Sequence, residues 1–529
     1  MADTVQGLLL AHAERDSVGL RYDDRTWSWR EVVAGAAARA HVLRSMAETD
    51  QPLHVGVLLP NGPEMAFAIS AGAVGGHVTV GINATRRGEA LASDVRRADC
   101  QVLLTDSAHR PLLDGLDLGG ATVIDTDGAA WPALVADAPA TTDGFPTPGA
   151  MDTFMLIFTS GTSGEPKAVQ VAHFMVVMAG SVLVDKYGLD ADDVVYCSMP
   201  MFHSNAIAAG YAVSAASGAA LVVAEFSARG FVDDLRRHGA TYLNYVGKPL
   251  AYVLATPERP DDADNPLRFA FGNEASERDI REFAQRFGCS VWDGFGSTEN
   301  AIIITRNEET PPGSIGVPFD GVAVYDRATR TECPRATYDA EGRVTNLDEA
   351  VGELVNTQGA GFFGGYYNDE AATAERLDGG MYWSGDLAYR DADGFVFLAG
   401  RTDDWLRVDG ENLAAAPVEQ LLLRHDAISQ AAVYAVADDR VGDQLMCALV
   451  LRDGAVLTPD ELAAFLAAQL DLSPKAWPRH VRIAAALPST ATNKVLKREL
   501  RTQGLATDDL LWSRGERDHV YAEAVRSNA

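Results

Sequence analysis

Short apolar runs alternate with alanine-rich stretches along the first half of the chain. His54–Leu59 (HVGVLL), Cys100–Leu104, Ala121–Ile124 and Phe154–Phe158 have the length and composition of buried strands. Pro63–Ala73 reads as the helix after the first of them. Strand–helix alternation of this kind predicts α/β layers with largely parallel sheets. The longest nearly apolar stretch, Met65–Ile82, is interrupted by Ser70, His77 and Thr79 and holds four glycines. It therefore reads as a buried helix, a turn and a strand, not a membrane span. Gly144–Gly149 breaks the pattern just before Phe154–Phe158.

The pattern changes near residue 380. Tyr389–Phe397 is two β runs joined by Asp393-Gly394, a hairpin signal. Beyond Arg401 the chain reads as a compact α+β unit, with a helix at Pro417–Arg424 and strands at Ala431–Val436 and Leu445–Leu451. The next helix has Thr458 at its N-cap, Pro459 at N1 and Glu461 at N3, a capping box. These shifts predict two domains, 1–400 and 401–529, with the edge near Gly400–Asp404.

Composition narrows the function. With 44 basic and 74 acidic side chains the net charge is −30, which repels nucleic acid and anionic lipid at long range. An anionic ligand must then be held by a local site. Five cysteines without a CxxC pair, and a first turn that carries acids and no basic segment, read as a reduced, cytoplasmic protein.

The sharpest chemical signal is TSGTSGEPK, Thr159–Lys167, directly after an apolar strand. Glycines let backbone N–H groups approach an anion, hydroxyls donate to it and the lysine supplies charge. It is not a Walker A loop, because Lys167 precedes Ala168 and another β run, Val169–Val171, where that motif opens a helix.

TSGTSGEPK resembles the phosphate loop of the adenylate-forming (ANL) superfamily, which includes acyl-CoA synthetases, peptide-synthetase adenylation domains and beetle luciferases. Further blocks follow in that family's order. They are MFHSN at Met201–Asn205, FGNEA at Phe271–Ala275, GFGSTE at Gly294–Glu299 and GEL at Gly352–Leu354, with Gly365-Tyr366. SGD at Ser384–Asp386, GRTDD at Gly400–Asp404 and TNKVLKREL at Thr492–Leu500 complete the series.

The resemblance implies a large multi-sheet N-terminal α/β domain and a small mobile α+β C-terminal domain. It also implies a reaction in which a carboxylate and ATP give acyl-AMP and pyrophosphate, and coenzyme A then takes the acyl group. Thr159, Ser160, Gly161, Thr162, Ser163, Gly164 and Lys167 would line the phosphates. Thr298 would bond the α-phosphate and Glu299 would hold Mg²⁺. Gly272, Asn273, Glu274, Asp293, Gly294, Phe295, Gly296 and Ser297 would border the nucleotide, with Asp386 and Arg401 at the ribose. Phe295 stands where the family has tyrosine, so one hydroxyl is missing. Lys494 would bridge carboxylate and α-phosphate; Lys497, three residues on, competes with it, and Asn493 replaces the usual glycine before it. Asp403, Trp405, Arg407 and Gly410 would shape the hinge and CoA channel. Asp409–Asn412 resembles the GEN variant of very-long-chain acyl-CoA synthetases and fatty-acid transport proteins.

For the acid itself, Phe202, His203, Asn205, Tyr245 and Gly247 are the candidate pocket residues. Asn205–Ala220 holds eight alanines and two glycines, which leaves volume for a bulky tail or serves close helix packing equally well. No ionic specificity residue declares itself, so an apolar acid is expected, whether fatty, aryl or terpenoid. A ligase loading a separate acyl-carrier protein, a luciferase-like oxygenase and a nucleotide-binding scaffold without turnover are the alternatives. A homodimer is allowed by this reading but not required.

Overall fold

The structure is a computed structural model describing residues 2–47, 52–159, 166–340, 342–401, 405–408, 411–438, 442–469, 472, 476–490, 495–515 and 520–523. Of 401, 405–408, 411–414, 437–438 and 442–443 it describes the backbone alone. The chain divides into two compact units. One is Met1–Asn273, Glu282–Ala301 and Ala360–Gly379; the other is Glu274–Arg281, Ile302–Gly359 and Gly380–Ala529.

The first unit contains two sheets. One has the order Thr122–Asp125, Val102–Thr105, His54–Leu58, Val78–Gly81, Thr153–Thr159, Lys167–Ala172, parallel except for its last pair. The other runs Ser290–Gly294, Phe269–Asn273, Tyr242–Val246, Val194–Cys197, Ala220–Val223, Val18–Tyr22, Arg25–Ser28, again parallel up to a terminal antiparallel strand. The expected strands fall where the apolar runs predict them. The Met65–Ile82 stretch is most of the helix Pro63–Gly75, a left-handed turn at Gly76 and the strand Val78–Gly81, buried from Met65 to Gly75 and along the strand. Alanines permit close helix contact here: Ala36, Ala37 and Ala40 of the helix Trp29–Ser45 are fully buried, and Ser28 closes that helix's capping box.

In the second unit, Thr331–Glu332, Val322–Asp326, Gly352–Asn356, Met381–Arg390 and Val396–Arg401 pair antiparallel in that order. This sheet is antiparallel where those of the first unit are largely parallel; short turns join Val322–Asp326 to Thr331–Glu332 and Met381–Arg390 to Val396–Arg401, and longer segments link the other strands. The Asp393-Gly394 hairpin is one of those turns, with Gly394 at φ +93° and Asp391 donating its N–H to Phe395 O at 3.0 Å. The C-terminal sheet has the order Glu411–Ala414, Trp405–Val408, Gly442–Leu451, His480–Ile483, Leu510–Arg514, Tyr521–Glu523, with Ile428–Asp438 against Gly442–Leu451. Two buried clusters pack its strands. Val433, Cys447, Leu449 and Trp477 belong to one; Tyr434, Met446 and Leu500 belong to the other. The predicted capping box is present, Thr458 Oγ1 accepting from Glu461 N–H at 3.2 Å and Glu461 accepting from Thr458 N–H at 2.8 Å. Among the described residues no helix is long and apolar enough to cross a membrane.

Candidate active site

Three neighbouring parallel strands end level with one another, with Val246 opposite Asn273 and Asn273 opposite Gly294. The carboxyl edge of a parallel sheet is where open α/β folds bind ligands, since successive loops leave there side by side. Gly247 takes up φ +65° and donates its N–H to Asn273 O at 2.7 Å. Gly272 must be glycine, because a Cβ there would collide with the Tyr245 carbonyl and ring. Glu274, exposed, also has φ +65°, a left-handed conformation unusual for a glutamate.

A chain of asparagines crosses this edge. Asn244 Nδ2 donates to Asn205 Oδ1 at 2.8 Å, Asn205 Nδ2 to Asn273 Oδ1 at 3.1 Å, and Asn273 Nδ2 to Gly294 O at 2.7 Å. The predicted acyl residue Asn205 is thereby wired to the predicted adenine-loop residue Asn273. Tyr245, expected in the acyl pocket, is 1% exposed and donates its hydroxyl to Trp292 O at 3.0 Å and Asp293 Oδ2 at 3.2 Å. Its hydroxyl thus supports the nucleotide-side strand.

The acyl block follows the strand Val194–Cys197. Asn61 pins it, donating to Met199 O at 2.8 Å and accepting from Met201 N–H at 2.9 Å. The Phe202 ring lies 4.5 Å from that of His203 at a tilt of 45°, and Phe202 lies over Gly81, where a side chain would meet it. His203 Nε2 is buried without a hydrogen bond, and burial lowers the imidazole to about 4, so it is neutral near pH 7. The following helical segment contains a π turn, Ile207–Tyr211, of a kind found often at functional sites. Gly210 lies there against Cys197 Sγ and Asn244.

On the phosphate side, Thr159 and Lys167 face each other across the antiparallel pair that flanks the phosphate loop. Lys167 Nζ lies 5.1 Å from the centre of the Tyr366 ring and 3.9 Å from the exposed Glu375. The Tyr366 hydroxyl donates to Glu299 Oε1 at 2.8 Å. Thr298 Oγ1 lies 3.0 Å from Ser204 Oγ. The structure therefore brings Lys167, Glu299, Thr298, His203, Asn205 and Asn273 into one connected set of contacts or chain neighbours.

In the second unit Asp386 stands on Met381–Arg390, opposite Arg401 in register. Its N–H donates to Ser384 Oγ at 3.0 Å, and the N–H of Gly385, at φ +77°, donates to the buried Glu353 at 2.7 Å. Both bonds set the turn that presents the carboxylate. Ser160, Gly161, Thr162, Ser163, Gly164, Asp403, Gly410 and Lys494 lie outside the described residues, as do the side chains of Arg401, Trp405 and Arg407. The segment carrying Lys494 is bracketed by a bridge between Ser489 and Val495.

Tyr366, Ser204 and Asn244 were not legible as site residues. Tyr366 sat in a recognised block without a role, and its partners are distant in sequence. Asn244 did carry a signal, an amide inside the apolar run YLNYV, since a buried amide needs a partner.

The description "AMP-binding enzyme" matches residues 10–367, and "AMP-binding enzyme C-terminal domain" matches 417–494. A medium/long-chain-fatty-acid–CoA ligase of Mycobacterium marinum is 49% identical over 96% of this chain and 98% of its own. A steroid-22-oyl-CoA synthetase of Rhodococcus jostii is 45% identical over 96% and 92%. Among solved structures, an anthranilate CoA ligase in complex with anthranoyl-AMP superposes with a TM-score of 0.83 at 21% identity, covering 95% of this chain and 98% of that one. ATP-bound MatB of Rhodopseudomonas palustris gives 0.82 at 22%, covering 95% and 99%. The chain belongs to the AMP-binding enzyme family of the adenylate-forming superfamily, and within it to the acyl-CoA synthetases. It is an ATP-dependent acid–thiol ligase, with ATP and CoA as substrates.

Proposed function

We propose that the acid is apolar, a medium- or long-chain fatty acid or a steroid side-chain acid. The observation that carries this reading is the acyl wall: from Met199 to Ser217 there is no Asp, Glu, Lys or Arg, and burial holds His203 neutral. Such a wall offers nothing to pair with a second charge on the substrate, and desolvating an unpaired charge is costly. The relatives at 49% and 45% identity are named for acids of this kind.

The acid's carboxylate attacks the α-phosphorus of ATP, and the bond to the pyrophosphate oxygen breaks. CoA thiolate then attacks the acyl carbon of acyl-AMP and AMP leaves. In this assignment Thr298 donates to the α-phosphate, and Lys167 with the loop Ser160–Gly164 holds the remaining phosphates. Asp386 accepts from the ribose hydroxyls with Arg401 beside it, and Lys494 neutralises charge as carboxylate and phosphate approach. Glu299 fits a magnesium site: it is a buried carboxylate with one oxygen held by Tyr366 and the other without a hydrogen bond from the described residues. Mg²⁺ is suited to such a place because it takes one or two carboxylates plus substrate phosphates, whose charge it neutralises. Residues 401–529 form the mobile domain, turning near Asp403, with Arg407 and Gly410 on the thiol channel.

The test is mass spectrometry of reactions with ATP, Mg²⁺ and a panel of fatty, steroid side-chain and aryl acids, with and without CoA. Acyl-CoA and AMP from the fatty or steroid acids are expected. Turnover of aryl acids alone would overturn the substrate class. Acyl-AMP that persists despite CoA would move the acceptor to a carrier protein.

A further inference from the structure

Lys167 and Glu299 carry opposite charges in a poorly hydrated region, the lysine side chain 13% and the glutamate 9% exposed. Coulomb attraction strengthens where water is scarce, so collapse into a direct ion pair is the default outcome for such groups. A pair of that kind would occupy both before any nucleotide arrives. Among the described residues no such pair forms. Tyr366, 4% exposed, makes one contact with each group: its ring face receives the lysine cation at 5.1 Å, and its hydroxyl donates to Glu299 Oε1 at 2.8 Å. The ring quadrupole suits the cation and the hydroxyl suits the carboxylate, so each is satisfied without the other. Glu299 Oε2 takes no hydrogen bond from the described residues.

The tyrosine is itself held firmly. It bridges Val169 in antiparallel fashion, and Gln170 donates its N–H to Gly365 O at 3.1 Å. Tyr367 donates its N–H to Ala168 O at 2.8 Å, and the Tyr366 N–H reaches Thr373 Oγ1 at 2.9 Å. The tyrosine segment thus acts as an added strand on the edge of Lys167–Ala172, and ring and lysine are fixed to the same piece of backbone.

We propose that Tyr366 is the positioning residue of the phosphate site, holding Lys167 and Glu299 apart so that phosphates meet a cation not committed to Glu299, its 3.9 Å ion pair being with the exposed Glu375, and metal meets a carboxylate oxygen that the described residues leave open. This rests on the reading that Lys167 faces the phosphates and Glu299 the metal. The test is calorimetric binding of α,β-methylene-ATP to the full-length protein without acid, once with Mg²⁺ and once with EDTA. In Tyr366→Phe the ring stays and the hydroxyl goes. The gain in affinity conferred by Mg²⁺ should shrink about 10-fold, as when a partner of a metal ligand is lost, while affinity in EDTA stays near wild type. Tyr366→Leu should weaken binding in EDTA as well, because the lysine loses its ring. An undiminished Mg²⁺ gain in Tyr366→Phe overturns the proposal, as does an equal loss with and without Mg²⁺, which would mark a scaffold residue. Glu299→Gln, run alongside, separates the two levels. If it keeps the Mg²⁺ gain, the metal reading itself fails; if it loses the gain while Tyr366→Phe keeps it, only the tyrosine assignment falls.

Discussion

Lys497 Nζ lies 2.7 Å from Glu419 Oε1, with both side chains mostly buried, 16% and 18% exposed. The same carboxylate oxygen accepts the Val433 N–H at 2.6 Å, so helix, strand and lysine meet on one acid. A lysine engaged in this way inside its own module is a poor candidate to reach a reaction centre, which leaves Lys494 for that role. Lys494→Ala should abolish acyl-AMP formation while attack of CoA on pre-formed acyl-AMP is much less affected. Lys497→Ala should retain both half-reactions and instead cost about 2 kcal/mol of stability, because Glu419 is left partly buried with one partner fewer. Assaying the two half-reactions separately checks this. Equal loss in both for Lys494→Ala would refute the division of labour.

The Asn244–Asn205–Asn273 chain predicts that the acyl wall and the nucleotide loop respond together. Asn205→Ala removes one partner from Asn244 and one from Asn273, leaving a buried and a half-buried amide each short of a bond. The expected loss is about 2 kcal/mol, read from denaturant unfolding. Because Asn273 also holds Gly294 O, KM for ATP should rise along with KM for the acid. An effect on the acid alone would mean that the chain carries no strain to the nucleotide side.

Periodicity and turn chemistry were enough to find the buried strands, the Thr458 capping box and the Asp393-Gly394 hairpin, because each depends on residues close in sequence. The phosphate loop and Glu299 stand out only through the ordered blocks of the family resemblance, since a glutamate taken alone reads equally as a surface acid. The role of Tyr366 does not, since it depends on Lys167 and Glu299, 199 and 67 positions away. Apart from that hairpin, the antiparallel sheet from Val322 to Arg401 is not legible for a related reason: its pairing is set by neighbours that the apolar pattern does not specify. Tyr245 is a candidate pocket residue from its place in YVGKP, and its hydroxyl bonds to Trp292 O and Asp293 Oδ2 depend on a strand that the sequence alone does not bring beside it.

Thr298 Oγ1 lies 3.0 Å from Ser204 Oγ of the acyl block and directly precedes Glu299, the carboxylate proposed to face the metal. Thr298→Val keeps the branched shape and removes the donor. If the hydroxyl stabilises charge developing at the α-phosphate, kcat for adenylation should fall about 100-fold with little change in KM for ATP. Ser204→Ala, which removes only the neighbour, should cost far less. A Thr298→Val variant whose loss appears entirely in KM would assign the hydroxyl to ground-state binding.

Desolvation holds His77, His173 and His203 as neutral rings, and their titration sets an acid limit on stability. Burial lowers His77 to about 3, and His173 and His203 to about 4; nearby Arg44 and His54 add to the effect at His77. Each takes up a proton near pH 6.5 once the chain unfolds, so below that value the unfolded state binds protons that the folded state refuses. Stability is therefore complete above about pH 6.5 and falls as pH drops toward 4, by about 2 kcal/mol per histidine between about pH 7 and about pH 5. His77 is the cleanest probe, with both ring nitrogens buried and without a hydrogen-bond partner among the described residues, and Gly75 packed against the ring. His77→Leu should keep the core filled and make the decline of Tm over that range shallower, while His203→Leu should do the same and alter KM for the acid. An unchanged pH slope in His77→Leu would show that the ring finds water in the folded protein and titrates normally.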